Sequence, residues 1–110
     1  MQAYLAQFTY TPDAWKALAV HPSDRREVLR EEAAKLGINL VTFSYCLGDY
    51  DGVVVFEAPD ESSAEALMIA AVAAGHLGTH KTTRLLTVEE VLAAMGLAGS
   101  LGYQAPASAG

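Results

Sequence analysis

The chain has 110 residues, 52% hydrophobic and 18% charged, with a formal net charge of −6 at pH 7. That length holds one domain around a single core, and the composition is that of a globular chain and not a disordered one. Seven basic against thirteen acidic side chains leave no basic stripe for a phosphate backbone, so nucleic acid is not an expected partner.

The first residues, MQAYLAQFTYTP, carry no basic flank and no apolar run of signal-peptide form. Ala3–Thr9 is short, aromatic and β-prone, and Thr11-Pro12-Asp13 closes it, which predicts a first strand. Asp13–Ala19 predicts a short helical turn presenting Trp15 and Leu18, stopped by His21-Pro22. Ser23 and Asp24 then offer side-chain oxygens to the free N–H groups of a second helix, with Glu27 three residues after Asp24. Val28, Leu29, Ala33 and Leu36 form its apolar stripe, and Gly37 stands where a left-handed residue commonly ends a helix.

Val41–Leu47 and Val53–Glu57 flank Leu-Gly-Asp-Tyr-Asp-Gly and predict a hairpin. Gly48-Asp49 suits a type II′ turn, because glycine tolerates the positive φ needed first; Asp51-Gly52 is a competing pair. With the first turn, Leu47 faces Tyr50, Tyr45 faces Gly52, Phe43 faces Val54 and Val41 faces Phe56, and Gly52 leaves room for the Tyr45 ring. The other face sets Leu40, Thr42, Ser44 and Cys46 against Asp51, Val53, Val55 and Glu57. A slip of one residue would exchange the faces, and both are apolar enough to need cover.

Ser62 and Glu65 form a capping-box pattern before a helix whose core, Ala66–Ala74, is apolar almost all round and is expected to be buried on more than one side. The apolar run Ala64–Ala74 is about half the length that crosses a bilayer, so no membrane partner is expected. Gly75 ends the helix. Thr79–Leu86 predicts a last strand at a sheet edge. Thr87 and Glu90 open a short helix, Val88–Met95, that stops at Gly96. The expected division is a domain over 1–95 and a flexible Gly/Ala/Ser-rich tail over 96–110.

The order β-α-β-β-α-β with right-handed crossovers predicts an α+β, ferredoxin-like antiparallel sheet with two helices on one face, the third strand beside the first. Val53 and Val55 on the helix-free face are accounted for if a second sheet packs there, at about 10 Å, which a homodimer or higher oligomer does with one surface used twice.

Gly48-Asp49-Tyr50-Asp51, followed by an apolar strand and Glu57-Ala58-Pro59-Asp60, resembles the GYD-domain family, and the resemblance runs over roughly residues 3 to 90. It implies a dimeric α/β barrel: two ferredoxin-like protomers with sheets face to face. It carries no catalytic residue with it; Gly48, Tyr50 and Asp51 occupy signature positions, and His76 and His80 lie outside the pattern.

Among chemistry-bearing residues, Tyr50, Asp51 and His80 are the candidate acid–base groups, set against a structural role for Gly48, Tyr50 and Asp51 in the turn. Tyr45, Gly48, Tyr50 and Arg84 are the candidate ligand contacts, since His80, Thr82 and Arg84 alternate onto one face of the last strand. His76 and His80 have a spacing that suits a metal only on a helix, which Gly75 and Gly78 interrupt, so no metal site is assigned. Cys46, the lone cysteine, excludes an internal disulfide and reads as a small strand hydrophobe. No Gly-rich phosphate loop or Ser-centred elbow is present, and no cofactor is expected. The expected protein is a cytoplasmic, homo-oligomeric small-molecule-binding or assembly module. The alternatives are a cofactor-independent enzyme, of monooxygenase or isomerase type, acting on a small aromatic or carbonyl compound, and a metal-binding protein using His76 and His80.

Overall fold

β1 (Gln2–Tyr10) opens the chain and takes a central place in the sheet. Its residues Tyr4, Ala6 and Phe8 are buried, while Ala3, Leu5 and Gln7 between them are half-buried, the period of two that separates the faces of a strand. The structure is a computed structural model and describes residues 1–107. It continues with α1 (Pro12–Val20), α2 (Arg25–Ala34), β2 (Asn39–Tyr45), β3 (Gly52–Ala58), α3 (Glu61–Ala73), β4 (Leu77–Leu85) and α4 (Val88–Leu101). The strands form one sheet in the order β2-β3-β1-β4, antiparallel throughout. This is the ferredoxin-like α+β arrangement, with β4 at an edge and β3 beside β1, as the order of elements predicts.

The core lies between one sheet face and the helices. Phe56 is 1% exposed and stacks on Tyr4 with ring centroids 5.3 Å apart; burying such a ring contributes about 1.5–3 kcal/mol. Ala33 of α2 and Ala64, Leu67 and Met68 of α3 close over it. Small residues at the helix contacts let the helices sit close to the sheet. Leu29 and Leu36 join this core from the α2 side, but Val28 is exposed, so the stripe read for α2 is narrower than its pattern. Gly37 (φ 71°) and Gly75 (φ 84°) take the left-handed backbone that ends α2 and α3.

Four sequence expectations are corrected. In the hairpin, Tyr45 pairs Gly52 and Phe43 pairs Val54 as read, but Leu40 and not Val41 lies opposite Phe56. A bulge at Val41 supplies the extra residue, turning Leu40 into the core (8% exposed) and leaving Val41 outside (53%). The turn is wider than two residues: the Cys46 N–H donates to the Asp51 carbonyl at 2.8 Å and closes a loop over residues 47–50, in which Leu47 is fully exposed. Asp60, not Ser62, caps α3, accepting from the Ser63 N–H at 2.8 Å. A carboxylate immediately ahead of the helix outcompetes a hydroxyl already inside it.

The fourth concerns the C-terminal end. α4 does not stop at Gly96 but runs through Gly96 and Gly99 to Leu101, ending at Gly102 with φ 58°. A helical glycine costs about 1 kcal/mol against alanine, and the Thr87 cap with flanking Ala and Leu carries the helix past two of them. The stretch 96–101 of the expected tail is therefore helical, and residues 108–110 of it lie outside the described residues. α4 buries none of its residues. It projects from the sheet, and the radius of gyration is 18.8 Å where a compact domain of this length has about 13 Å. α3, expected to be buried on more than one side, is covered on one side only, with Ile69 63% exposed.

On the helix-free face, Leu5, Val53 and Val55 are half-buried, and Leu85 opposite Ala3 extends the apolar strip to β4. No helix among the described residues is long and apolar enough to cross a membrane.

Candidate functional site

The sheet and the two crossovers border a partly open cavity of about 410 Å³ on the helix side of the sheet. Its floor is the helix-facing set of strand residues, among them Ala6, Phe8, Tyr10, Phe43 and Val54. Its roof comes from all three flanking helices: Ala14 and Leu18 of α1, Leu29 of α2, Met68 and Ala71 of α3. Ala14 and Ala71 keep that roof thin, since larger side chains at these positions would occupy the space. Polar groups gather at one end only. His21, Ser23 and Arg25 come from the α1–α2 connection, and His76 from the turn into β4.

A second bulge aims the β4 end of the wall. Phe8 pairs His80 and Tyr10 pairs Leu77, so Gly78 and Thr79 together face Thr9. Thr79 N–H donates to Thr9 Oγ1 at 2.8 Å, and the two hydroxyls share a bond at 3.0 Å. A Cβ on Gly78 would come within 2.8 Å of Thr9 Oγ1, so the seam closes only with glycine there. The extra residue turns Leu77 onto the helix side beside Tyr10 and brings His76 to the cavity.

Beside the polar end stands a train of rings. Tyr10 meets Trp15 edge-on with centroids 5.0 Å apart, and the Tyr10 and Tyr45 hydroxyls share a hydrogen bond at 3.2 Å. Burial, reinforced by that bond, pushes the Tyr10 phenol above its ordinary range against the opposing charge of Arg25. Tyr45 lines a smaller cleft of about 180 Å³ with Arg25, Arg26 and Phe43, so Arg25 borders cavity and cleft alike.

The sequence candidates divide around this geometry. Asp51 sits behind the ring train: its Oδ2 accepts from the Tyr10 N–H at 2.9 Å and from Trp15 Nε1 at 3.3 Å, while its own N–H donates to the Phe8 carbonyl at 2.9 Å. Gly48 takes φ 123° in the loop, and the Tyr50 carbonyl accepts from the Cys46 thiol at 3.3 Å. Tyr45, Gly48, Tyr50, Asp51, His80 and Arg84 do not line the cavity. His80 and Arg84 lie on the helix-side face of β4, opposite Phe8 and Tyr4, and both are exposed; Arg84 is 3.8 Å from Glu90 at the root of α4. His76 and His80 are separated by the bulge, and no group of three or more His, Cys, Asp or Glu placed to hold a metal occurs among the described residues.

The residues that sequence reasoning passed over are Arg25 and Tyr10. Arg25 belongs to a helix whose sequence is read only for its cap and its apolar stripe. The signal that distinguishes Arg25 is its place at the first helical position, directly after the cap, where the side chain turns back toward the preceding connection.

MtbAldR superposes with a TM-score of 0.56 at 9% identity, over 78% of this chain and 53% of that one. TTHA0845 from Thermus thermophilus gives 0.53 at 13%, over 80% and 96%, and FFRP-DM1 gives 0.51 at 13%, over 78% and 100%. At these identities the likeness is one of fold, and the chain spans about half the length of MtbAldR. No curated protein matches in sequence. The family model described as the GYD domain matches residues 4–95.

Proposed function

The chain belongs to the GYD-domain family, and from that premise we propose that it binds a small, mostly apolar molecule in the cavity between sheet and helices, as a homodimer or larger homo-oligomer. The cavity carries the reading. Its volume of about 410 Å³ lies within the roughly 300–1,000 Å³ of small-molecule sites, and an apolar body with a few polar groups at one end is their usual chemistry. The half-buried strip of Leu5, Val53 and Val55 supports self-association through the helix-free face, where one surface used twice covers it.

On this reading one signature residue, Asp51, braces the wall from behind without lining it. Asp51 fixes the end of β1 and the Trp15 ring, so that Tyr10 keeps its place at the cavity. An enzymatic form of the same reading has one observation in its favour, the presence of His21 and His76 together at the polar end. It would use those two for proton transfer in place of Tyr50, Asp51 and His80. A cytoplasmic location suits the exposed Cys46 thiol, which a reducing compartment keeps free.

Native mass spectrometry of freshly purified protein tests the reading, alongside Ala71→Phe, which places a ring in the cavity. The expected result is an assembly of two or more chains carrying added mass of a few hundred daltons or less, lost on denaturation and absent from Ala71→Phe. Equal added mass on the folded variant would remove the cavity from the account, and a bare monomer would remove both parts.

A further inference from the structure

We propose that the cavity selects an aromatic acid, with Arg25 receiving its carboxylate. The inference rests on the small-molecule reading above and narrows it by charge and shape.

Arg25 borders the cavity at its polar end. Among the described residues it is the one lining the cavity that carries a fixed charge, and no aspartate or glutamate among them lines it. The other cations of α2 and its C-terminal cap are engaged. Arg26 lies 3.2 Å from Asp24, Arg30 pairs with Glu27, and Lys35 lies 2.9 Å from Glu32. Arg25 has no such carboxylate partner among the described residues, although the chain as a whole carries an excess of acidic groups. Asp24, next to it in sequence, is held by the Arg26 side chain and the Arg26 N–H. Arg25 is also half-buried. A partly desolvated guanidinium without a counter-charge is costly, and a carboxylate arriving in the plane of its fork recovers that cost through two parallel, charge-assisted bonds.

The half-buried rings of Tyr10 and Phe43 line the cavity with Phe8 between them on the sheet, and Met68 adds a polarizable sulfur. Flat aromatic bodies gain most from such a lining. Ser23, His21 and His76 at the same end as Arg25 can donate to the second carboxylate oxygen or to a ring substituent.

The test uses calorimetric titration of the full chain with 2-naphthoate and with 2-naphthalenemethanol, an uncharged molecule of closely similar shape. The expected result is that the acid binds at least about tenfold more tightly than the alcohol, and that Arg25→Gln brings the two within about twofold of each other. Arg25→Lys should recover part of the preference, since it restores the charge without the planar fork. Equal binding of acid and alcohol to the wild-type protein would overturn the acid assignment while leaving the cavity reading in place. Failure of both to bind would overturn the cavity reading itself. The wild-type comparison decides the matter even if Arg25→Gln does not fold.

Discussion

Gly52 shows what a single missing Cβ does here. It pairs Tyr45 on one side and Phe8 on the other, and it is the Phe8 ring that fills its space: a Cβ would lie 2.3 Å from Phe8 Cζ. Phe8 cannot retreat cheaply, being 6% exposed and packed against Tyr10 and Phe43. Gly52→Ala should therefore destabilise the fold by about 1–3 kcal/mol, the usual cost of overpacking, measured as a lower midpoint of urea unfolding. An unchanged midpoint would mean that the ring moves freely. The glycine's need for space was legible in the hairpin sequence, but the ring that uses it was not, because β1 reaches β3 only through a pairing distant in sequence. Tyr10 gives a second residue-scale prediction. Its folded phenol titrates above its unfolded value near 10, so the stability it supports is full below about pH 10 and is lost as pH rises through the raised value. Relative to Tyr10→Phe, the wild-type protein should gain stability as pH rises from about 9 to about 10 only if the phenol were lowered; with the phenol raised, its midpoint should instead fall above about pH 10, while the other tyrosines and lysines cancel between the two proteins.

At the scale of elements, the sequence spoke clearly where one residue decides a backbone and less clearly where two compete. Gly37 and Gly75 end their helices as read, since a left-handed position leaves few alternatives to glycine. The start of α3 went to Asp60 over Ser62, and α4 passed two glycines, because capping and propensity are each worth about 1 kcal/mol and neighbouring residues can reverse them. The Asp60 cap is testable. Hydrogen bonding from Ser63 to the carboxylate lowers its titration below the ordinary value of 3.8. Its contribution is present above that value and is lost as pH falls through the lowered one. Asp60→Ala should lower the melting temperature by about 4 °C at pH 7, and the gap should narrow as the solution is acidified through that range. A gap independent of pH would show that the carboxylate charge plays no part. Bulges were the least legible feature. Val41 and Gly78-Thr79 each shift a strand by one residue, and nothing in a period of two announces the shift.

For the whole molecule, the sheet, its two unlike faces and the edge position of β4 followed from the order of elements. The cavity between sheet and helices followed only in outline. Its polar end is assembled from the α1–α2 connection and the turn into β4, and no local pattern joins His21 and Arg25 to His76. The helix-free face leads to a direct prediction. Val53→Lys places an ammonium in the middle of the apolar strip, where a second sheet would strip it of water. Its solution mass, measured by light scattering, should be that of the monomer, whereas an assembly of wild-type size would reassign the interface.

That strip has a further consequence. If a second copy covers that face, as proposed, folding draws part of its free energy from association and mass action enters the unfolding equilibrium. Such a protein has no single melting temperature. It has a series of them, climbing as the solution is made more concentrated and converging on the isolated protomer's own value as it is diluted.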